Sequence, residues 1–174
     1  MKATGKTLTL RGTYVNADWD SWNTKNILDY ANVLDINKAW RVRWVETWLS
    51  TPVGLLAAGS RTDMSITTML DTEAVANPVN RADDNRQIAW GSQAYTLGRG
   101  PASKTTGIIG NQVVIDPDHI VQKELNINFL PAGDSVVEGV TLDINFIVYL
   151  EEIQITANES IVSTIKQSAQ SLNQ

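Results

Sequence analysis

The sequence predicts an all-β protein, a sandwich or barrel of about eight strands with a short C-terminal helix. Three observations predict it. In "VTLDINFIVYLEEI", Val140, Leu142, Ile144, Phe146, Val148 and Leu150 fall on one face of a strand. Thr141, Asp143, Asn145, Tyr149 and Glu151 fall on the other, with Ile147 the single exception. Clusters of Gly, Pro, Asn and Asp ("GSRTD", "NPVNRADDN", "GRGPAS", "DPDH") punctuate the chain, as turns between strands do. At the end, "TANESIVSTIKQSAQ" sets Thr156 three residues before Glu159, the capping-box pattern that opens a helix.

The elements follow in order. "KTLTLRGTYV" alternates Thr7 and Thr9 with Leu8 and Leu10, a first strand. "TKNILDYANVL", residues 24 to 34, admits a helix. A strand from Asp35 to Leu49 is argued below. "DMSITTML" alternates Met64, Ile66 and Leu70 with Ser65 and Thr67; a strand is expected, with a helix as the alternative. "RQIAWGSQAYTL" and "NQVVID" supply two more strands. "KELNINF" sets Leu125, Ile127 and Phe129 against Glu124, Asn126 and Asn128. The connection "LPAGDSVVEG" lies between this strand and the last one, and two antiparallel strands are the natural reading. In the terminal helix Ile161 and Ile165 share a face, with Val162 and Ala169 near it, and "SLNQ" is expected to fray. No repeat or linker interrupts the chain. One domain is expected, with the β-sandwich over residues 1–155 and the helical tail over 156–174 as part of it.

The stretch "WRVRWVETWL" places Trp40, Trp44 and Trp48 four residues apart, a spacing that suits a helix or a strand. The arginines decide. On a helix Arg41 would lie inside the apolar arc, where an unpaired guanidinium is costly. On a strand Arg41 and Arg43 point together away from a face carrying Trp40, Val42, Trp44, Glu46 and Trp48. A strand is therefore predicted, its indoles filling the core or a subunit interface, with a platform that stacks on sugars or bases as the alternative. Each indole buries on the order of 200 Å², so an exposed row would be a large apolar patch.

The composition limits function. The chain has 174 residues, 43% hydrophobic and 19% charged, enough for one cored domain. Lys and Arg number 14 against 19 Asp and Glu, for a net charge of −5 and no basic cluster, so strong direct nucleic-acid binding is not expected. The absence of cysteine excludes disulfides, iron–sulfur clusters, thiolate zinc and cysteine nucleophiles. "MKATGKTLTLRG" has no apolar h-region, and no run of about 18 apolar residues occurs, so neither a signal peptide nor a membrane span is expected.

Chemistry-bearing motifs are sparse. His119, in the turn sequence "DPDHI", is the single histidine and is expected at the surface; one histidine does not make a typical His-rich metal site. No G-x-S-x-G, Walker A or dinucleotide glycine pattern is present, and "GRGPASKTTG" lacks the spacing. The carboxylate pairs Asp18/Asp20, Asp83/Asp84 and Glu151/Glu152 match no EF-hand and are expected to be solvated. No catalytic residue, cofactor or metal is therefore assigned, and the chain is not expected to be an enzyme. "DWDSW" offers a rival reading as a sugar-binding module, with Trp19 and Trp22 stacking and Asp18 and Asp20 hydrogen-bonding. "NES" at residues 158 to 160 is a sequon overlapping the helix start, and no glycan is assigned to Asn158.

From Ile120 onward, "PAGDSV", the long strand "VTLDINFIVYLEEI" and the capped tail "TANESIVSTIKQSAQ" together resemble single jelly-roll capsid proteins of small icosahedral viruses. The likeness is to those of environmental circular-DNA viruses and of prokaryotic viruses, and these motifs span roughly a third of the chain. The resemblance implies an eight-stranded jelly-roll sandwich of two four-stranded sheets, assembly with other copies and with other capsid proteins into an icosahedral shell, and a place in the virion. Many such proteins carry a basic N-terminal arm; here that region holds only Lys2, Lys6 and Arg11. The departure argues against direct genome packaging and fits a shell over a membrane or another protein layer, or packaging by a different component. The resemblance brings no catalytic residues.

Overall fold

A computed structural model describes residues 1–29, 35, 37–50, 62–74, 78–79, 81–97, 107–133 and 142–171. Eight strands lead to one helix: β1 (Lys2–Ala17), β2 (Asn23–Asp29), β3 (Lys38–Leu49), β4 (Thr62–Asp71), β5 (Gln87–Leu97), β6 (Gly107–Ile115), β7 (Glu124–Gly133), β8 (Leu142–Gln154) and α1 (Ala157–Ser171). Two antiparallel sheets form, a three-stranded one in the order β1-β8-β3 and a five-stranded one in the order β2-β7-β4-β5-β6. Each sheet interleaves early and late strands, which is the double Greek key of a jelly roll. The predicted fold class holds, but the sheets have three and five strands rather than four each, because β6 is hydrogen-bonded to β5.

The core lies between the sheets. Alternation builds it: Leu142, Ile144, Phe146, Val148 and Leu150 of β8 meet Leu125, Ile127 and Phe129 of β7 and Ile66 and Leu70 of β4. Phe129 packs edge-on to Tyr14 with centroids 6.2 Å apart. Full burial of such a side chain stabilises by about 1.5–3 kcal/mol. A polar bridge crosses the layers: Gln93 Nε2 donates to Thr47 O and Oγ1, both at 2.9 Å, and Tyr95 Oη donates to Gln93 Oε1 at 2.5 Å. These three buried side chains thereby keep partners.

Three expectations need correction. The helix considered over residues 24 to 34 is strand β2 as far as Asp29, paired with β7 from Asn23↔Phe129 to Asp29↔Glu124; its remainder lies outside the described residues. Tertiary pairing overrides a weak local helix pattern there. The strand predicted from Asp35 begins at Lys38. The turn expected at "LPAG" is instead the end of β7, which pairs with β4 as far as Met64↔Gly133. Pro131 is tolerated because β2 no longer flanks β7 beyond Phe129. All of "GRGPAS", the end of "PAGDSV" and the stretch 51–61 lie outside the described residues.

The capping box forms as predicted. Thr156 Oγ1 accepts from the Glu159 N–H at 3.2 Å, and Glu159 Oε2 accepts from the Thr156 N–H at 2.7 Å. That backbone donor, together with the N-terminal ammonium 3.3 Å from Oε1, holds the Glu159 carboxyl below its ordinary range. Ile161, Val162 and Ile165 are nevertheless exposed.

Candidate functional site

The outer face of the three-stranded sheet carries the tryptophan stretch. The three indoles do not share one inward face. A bulge between Val42 and Trp44 places an extra residue opposite β8, so Val42 pairs with Leu150 and Trp44 with Tyr149. Side chains alternate with period two, so one added residue exchanges the faces. Val42, Val45 and Thr47 point inward and are buried. Trp44 and Trp48 point outward, 49% and 38% exposed. Trp40, before the bulge, is partly buried against the core. Its N–H donates to Val121 O at 2.9 Å and its carbonyl accepts from the Val121 N–H at 2.8 Å.

The two arginines differ in their partners, although the register also sets Arg41 opposite Glu151. Arg43 Nε lies 3.6 Å from Glu151 Oε2. Arg41 is half-buried; its Nη2 donates to Met1 Sδ at 3.1 Å, and its buried Nε has no hydrogen-bond partner.

Around the indoles the face is built in rows. Thr9, Tyr149 and Trp44 form one row, Arg11, Ile147 and Glu46 the next, and Thr13, Asn145 and Trp48 the third. Trp44 stacks on Tyr149 with centroids 5.0 Å apart and planes 21° apart. Asn145 Oδ1 accepts from Thr13 Oγ1 at 2.7 Å, and its Nδ2 donates to Ser50 Oγ at 2.8 Å. Ile147, the one residue that broke the β8 alternation, sits at the centre of this face.

The residues named for sugar contact form a turn held by Asn23. Asn23 Nδ2 donates to Asp18 O at 2.8 Å and to Ser21 O at 2.9 Å, and its Oδ1 accepts from the Asp18 N–H at 2.8 Å. Asp20 adopts φ 53, and its N–H donates to Pro131 O at 2.9 Å. Trp19 packs partly buried against the core, and Trp22 is half-buried. The turn thus brings Asp18, Trp19, Asp20 and Trp22 together in a tight local structure.

His119 is not a surface residue. It is 5% exposed; Nε2 accepts from the Val42 N–H at 2.8 Å, and Nδ1 faces the Asp116 carbonyl. An acceptor at Nε2 and a carbonyl at Nδ1 describe the neutral ring with its proton on Nδ1. Burial pushes its pKa down. The acidic pairs are engaged as well. Asp84 and Arg86 form a buried bidentate pair, Oδ2 to Nη2 at 2.7 Å and Oδ1 to Nε at 2.9 Å, which holds Asp84 below its ordinary value. Asp83 pairs with Arg81 at 2.7 Å. Glu152 accepts from Thr4 Oγ1 at 2.8 Å.

One cluster escaped the sequence reading. On the outer side of the five-stranded sheet, Asn126 and Asn128 of β7 converge on Asp71 of β4, which is fully buried. Asp71 Oδ1 accepts from Asn126 Nδ2 at 2.9 Å, and Oδ2 accepts from Asn128 Nδ2 at 2.6 Å. Asn26 donates to Asn126 Oδ1 at 3.0 Å, and Thr24 donates to Asn128 Oδ1 at 2.6 Å. Burial raises the Asp71 carboxyl to about 6, against the pull of the two amides. The only signal in the sequence was "NIN", whose asparagines face outward as predicted and yet are buried.

No family model matches the chain, and no curated protein matches it. Among solved structures it is similar to viral capsid proteins. VP1 of Trichodysplasia spinulosa-associated polyomavirus is 9% identical with a TM-score of 0.46, covering 90% of this chain and 98% of that one. The same VP1 in complex with 3'-sialyllactose is 10% identical with a TM-score of 0.46, covering 87% and 97%. Desmodium yellow mottle tymovirus is 7% identical with a TM-score of 0.30, covering 84% and 87%. At these identities the likeness concerns the fold alone.

Proposed function

We propose that the chain is a structural coat protein whose copies assemble into an icosahedral viral shell, and that it acts in the virion rather than as an enzyme. The strand order carries this reading: β1-β8-β3 against β2-β7-β4-β5-β6 is the jelly-roll arrangement used by viral capsid proteins, lectin domains and cupins. Fold alone does not choose among them, so the side chains must. A cupin-like metal site is disfavoured by the one histidine, whose nitrogens face Val42 N–H and Asp116 C=O. Of the acidic pairs, Asp83, Asp84 and Glu151 are held by arginines and Glu152 by Thr4. The exposed, outward indoles Trp44 and Trp48 of the three-stranded sheet support a surface that meets other copies or other coat proteins. The net charge of −5 supports a shell without strong direct genome contact.

Negative-stain images of purified protein test the reading. Closed particles or rings of uniform size are expected. A monomer at every concentration and salt condition would remove it. A carbohydrate-binding module is the second reading, favoured by the exposure of Trp44 and Trp48. It predicts a change in tryptophan fluorescence with one member of a glycan panel and none with the others.

A further inference from the structure

We propose that the outer face of the three-stranded sheet is self-complementary, and that two copies of the chain pair there, sheet on sheet, about a two-fold axis running along β8. β8 is the middle strand, so each of its outward residues has one neighbour on β1 and one on β3. In the central row the neighbours of Ile147 carry opposite charges, Arg11 on β1 and Glu46 on β3. Among the described residues neither enters an ion pair within its own chain.

A half-turn about an axis along β8 preserves height on the sheet and exchanges left with right. Arg11 of one copy then lies over Glu46 of the partner subunit, and the contact occurs twice, as an isologous interface requires. Ile147 meets its own counterpart, and Trp44 and Trp48 come to lie over threonines, at the positions of Thr9 and Thr13. An axis across the strands would instead set arginine on arginine and glutamate on glutamate, so the charges select the first.

The acidic residues on the axis do not oppose it. Glu151 is paired with Arg43, and Asp143 Oδ1 accepts from the Asn16 N–H at 3.0 Å. Both lie four residues from Ile147, about 13 Å along the strand, and stacked sheets rotated by about 30° diverge there. A second copy fits this face better than a sugar. One side of the Trp44 ring is taken by Tyr149, and the Asn145 amide is engaged on both sides by Thr13 and Ser50. The groups left to recognise a partner are the two opposite charges. Three strands over ten residues give a footprint of about 500 Å² per copy, the low end for specific pairing, so the dimer is concentration-dependent.

Sedimentation equilibrium tests this with a charge swap. Wild type should show a reversible monomer–dimer step or dimeric units within larger assemblies. Arg11→Glu alone and Glu46→Arg alone should each weaken dimerisation by about tenfold or more. Each single variant opposes like charges twice. An equal mixture of the two restores both pairs and should form a heterodimer at wild-type strength. Circular dichroism matching wild type shows that the variants fold. A wild type that stays monomeric, or single variants that associate as wild type does, or a mixture that does not recover, overturns the proposal. Dimers without particles would support the face and count against the shell; particles unaffected by either substitution would support the shell and overturn the face.

Discussion

Replacing Asp71 by asparagine should change how stability depends on pH. Asp71 titrates at about 6 in the folded chain and near 3.8 as a free side chain. Between those values the folded chain holds a proton that the unfolded chain has released. The stability linked to that proton is fully present below about 3.8 and is lost as the pH rises through about 6. The gap corresponds to about 3 kcal/mol, at ~1.4 kcal/mol for each tenfold change in proton activity. Above the window the protein keeps a buried carboxylate held by two amides, with the Arg86 charge also favouring the ionised form.

His119 works in the opposite direction. Its folded pKa lies below 6.5, so the unfolded chain takes the extra proton first, and this group's contribution falls as the pH drops. The two effects oppose each other across the same pH range, which makes wild-type stability a poor reporter of either. The difference between Asp71→Asn and wild type isolates the carboxylate. Urea unfolding followed by tryptophan fluorescence at pH 4, 5, 6 and 7 measures it. The variant should gain about 2 kcal/mol relative to wild type between pH 4 and pH 7, most of the full gap, whatever its absolute stability. An asparagine presents one donor to a pocket of two donors, so the absolute value also includes that mismatch. A difference that stays flat with pH, or that grows toward acid, would refute the placement of a raised carboxyl at Asp71.

Three further outcomes follow from buried partners and from the helix cap. His119→Ala leaves the Val42 N–H without its acceptor and opens a cavity; a loss of about 2–4 kcal/mol is expected by urea unfolding, and a loss under 1 kcal/mol would contradict the bond. Arg86→Met strands the Asp84 carboxylate in the interior and should cost about 3–5 kcal/mol at pH 7, with a smaller cost once acid protonates Asp84. Thr156→Ala removes the cap of α1 and should weaken the helix by about 1 kcal/mol, seen as faster amide exchange over residues 157–162 with β-sheet protection unchanged.

Much of this structure was legible because β8 is plain. Its inward and outward sets are those read from period two, and the cap at Thr156 is the one its spacing named. What stayed hidden depended on which strand lies beside which. Asn126 and Asn128 were correctly read as outward, yet they are buried against Asp71 because β4 and β7 pair with Asp71 opposite Asn126. No local pattern encodes that register. His119 was placed at the surface because "DPDH" is a turn sequence; the turn is real, but its imidazole reaches back to the β3 backbone. Turn composition fixes the backbone and says nothing of where a long side chain goes.

The tryptophan stretch failed for a reason that can be generalised. Among the described residues, six register shifts interrupt the ladders, and five add their extra residues to an edge strand: two on β1 and one each on β2, β3 and β6. The sixth lies on β5. A middle strand is bonded on both sides, so an added residue disrupts two ladders; an edge strand disrupts one. Period-two reasoning therefore holds best for middle strands and weakens toward the edges. β8 is the middle of its sheet and carries no extra residue, whereas β3 is an edge and slips once, at Arg43. A trace of the slip was present in the sequence: Val42 and Val45 are both apolar and three apart, an odd spacing that no regular strand can place on one face. Two valines took the interior, and two indoles were turned outward onto a face whose centre is an isoleucine between an arginine and a glutamate. The rule that polar residues face out was sound, but the face it was applied to changed within the strand.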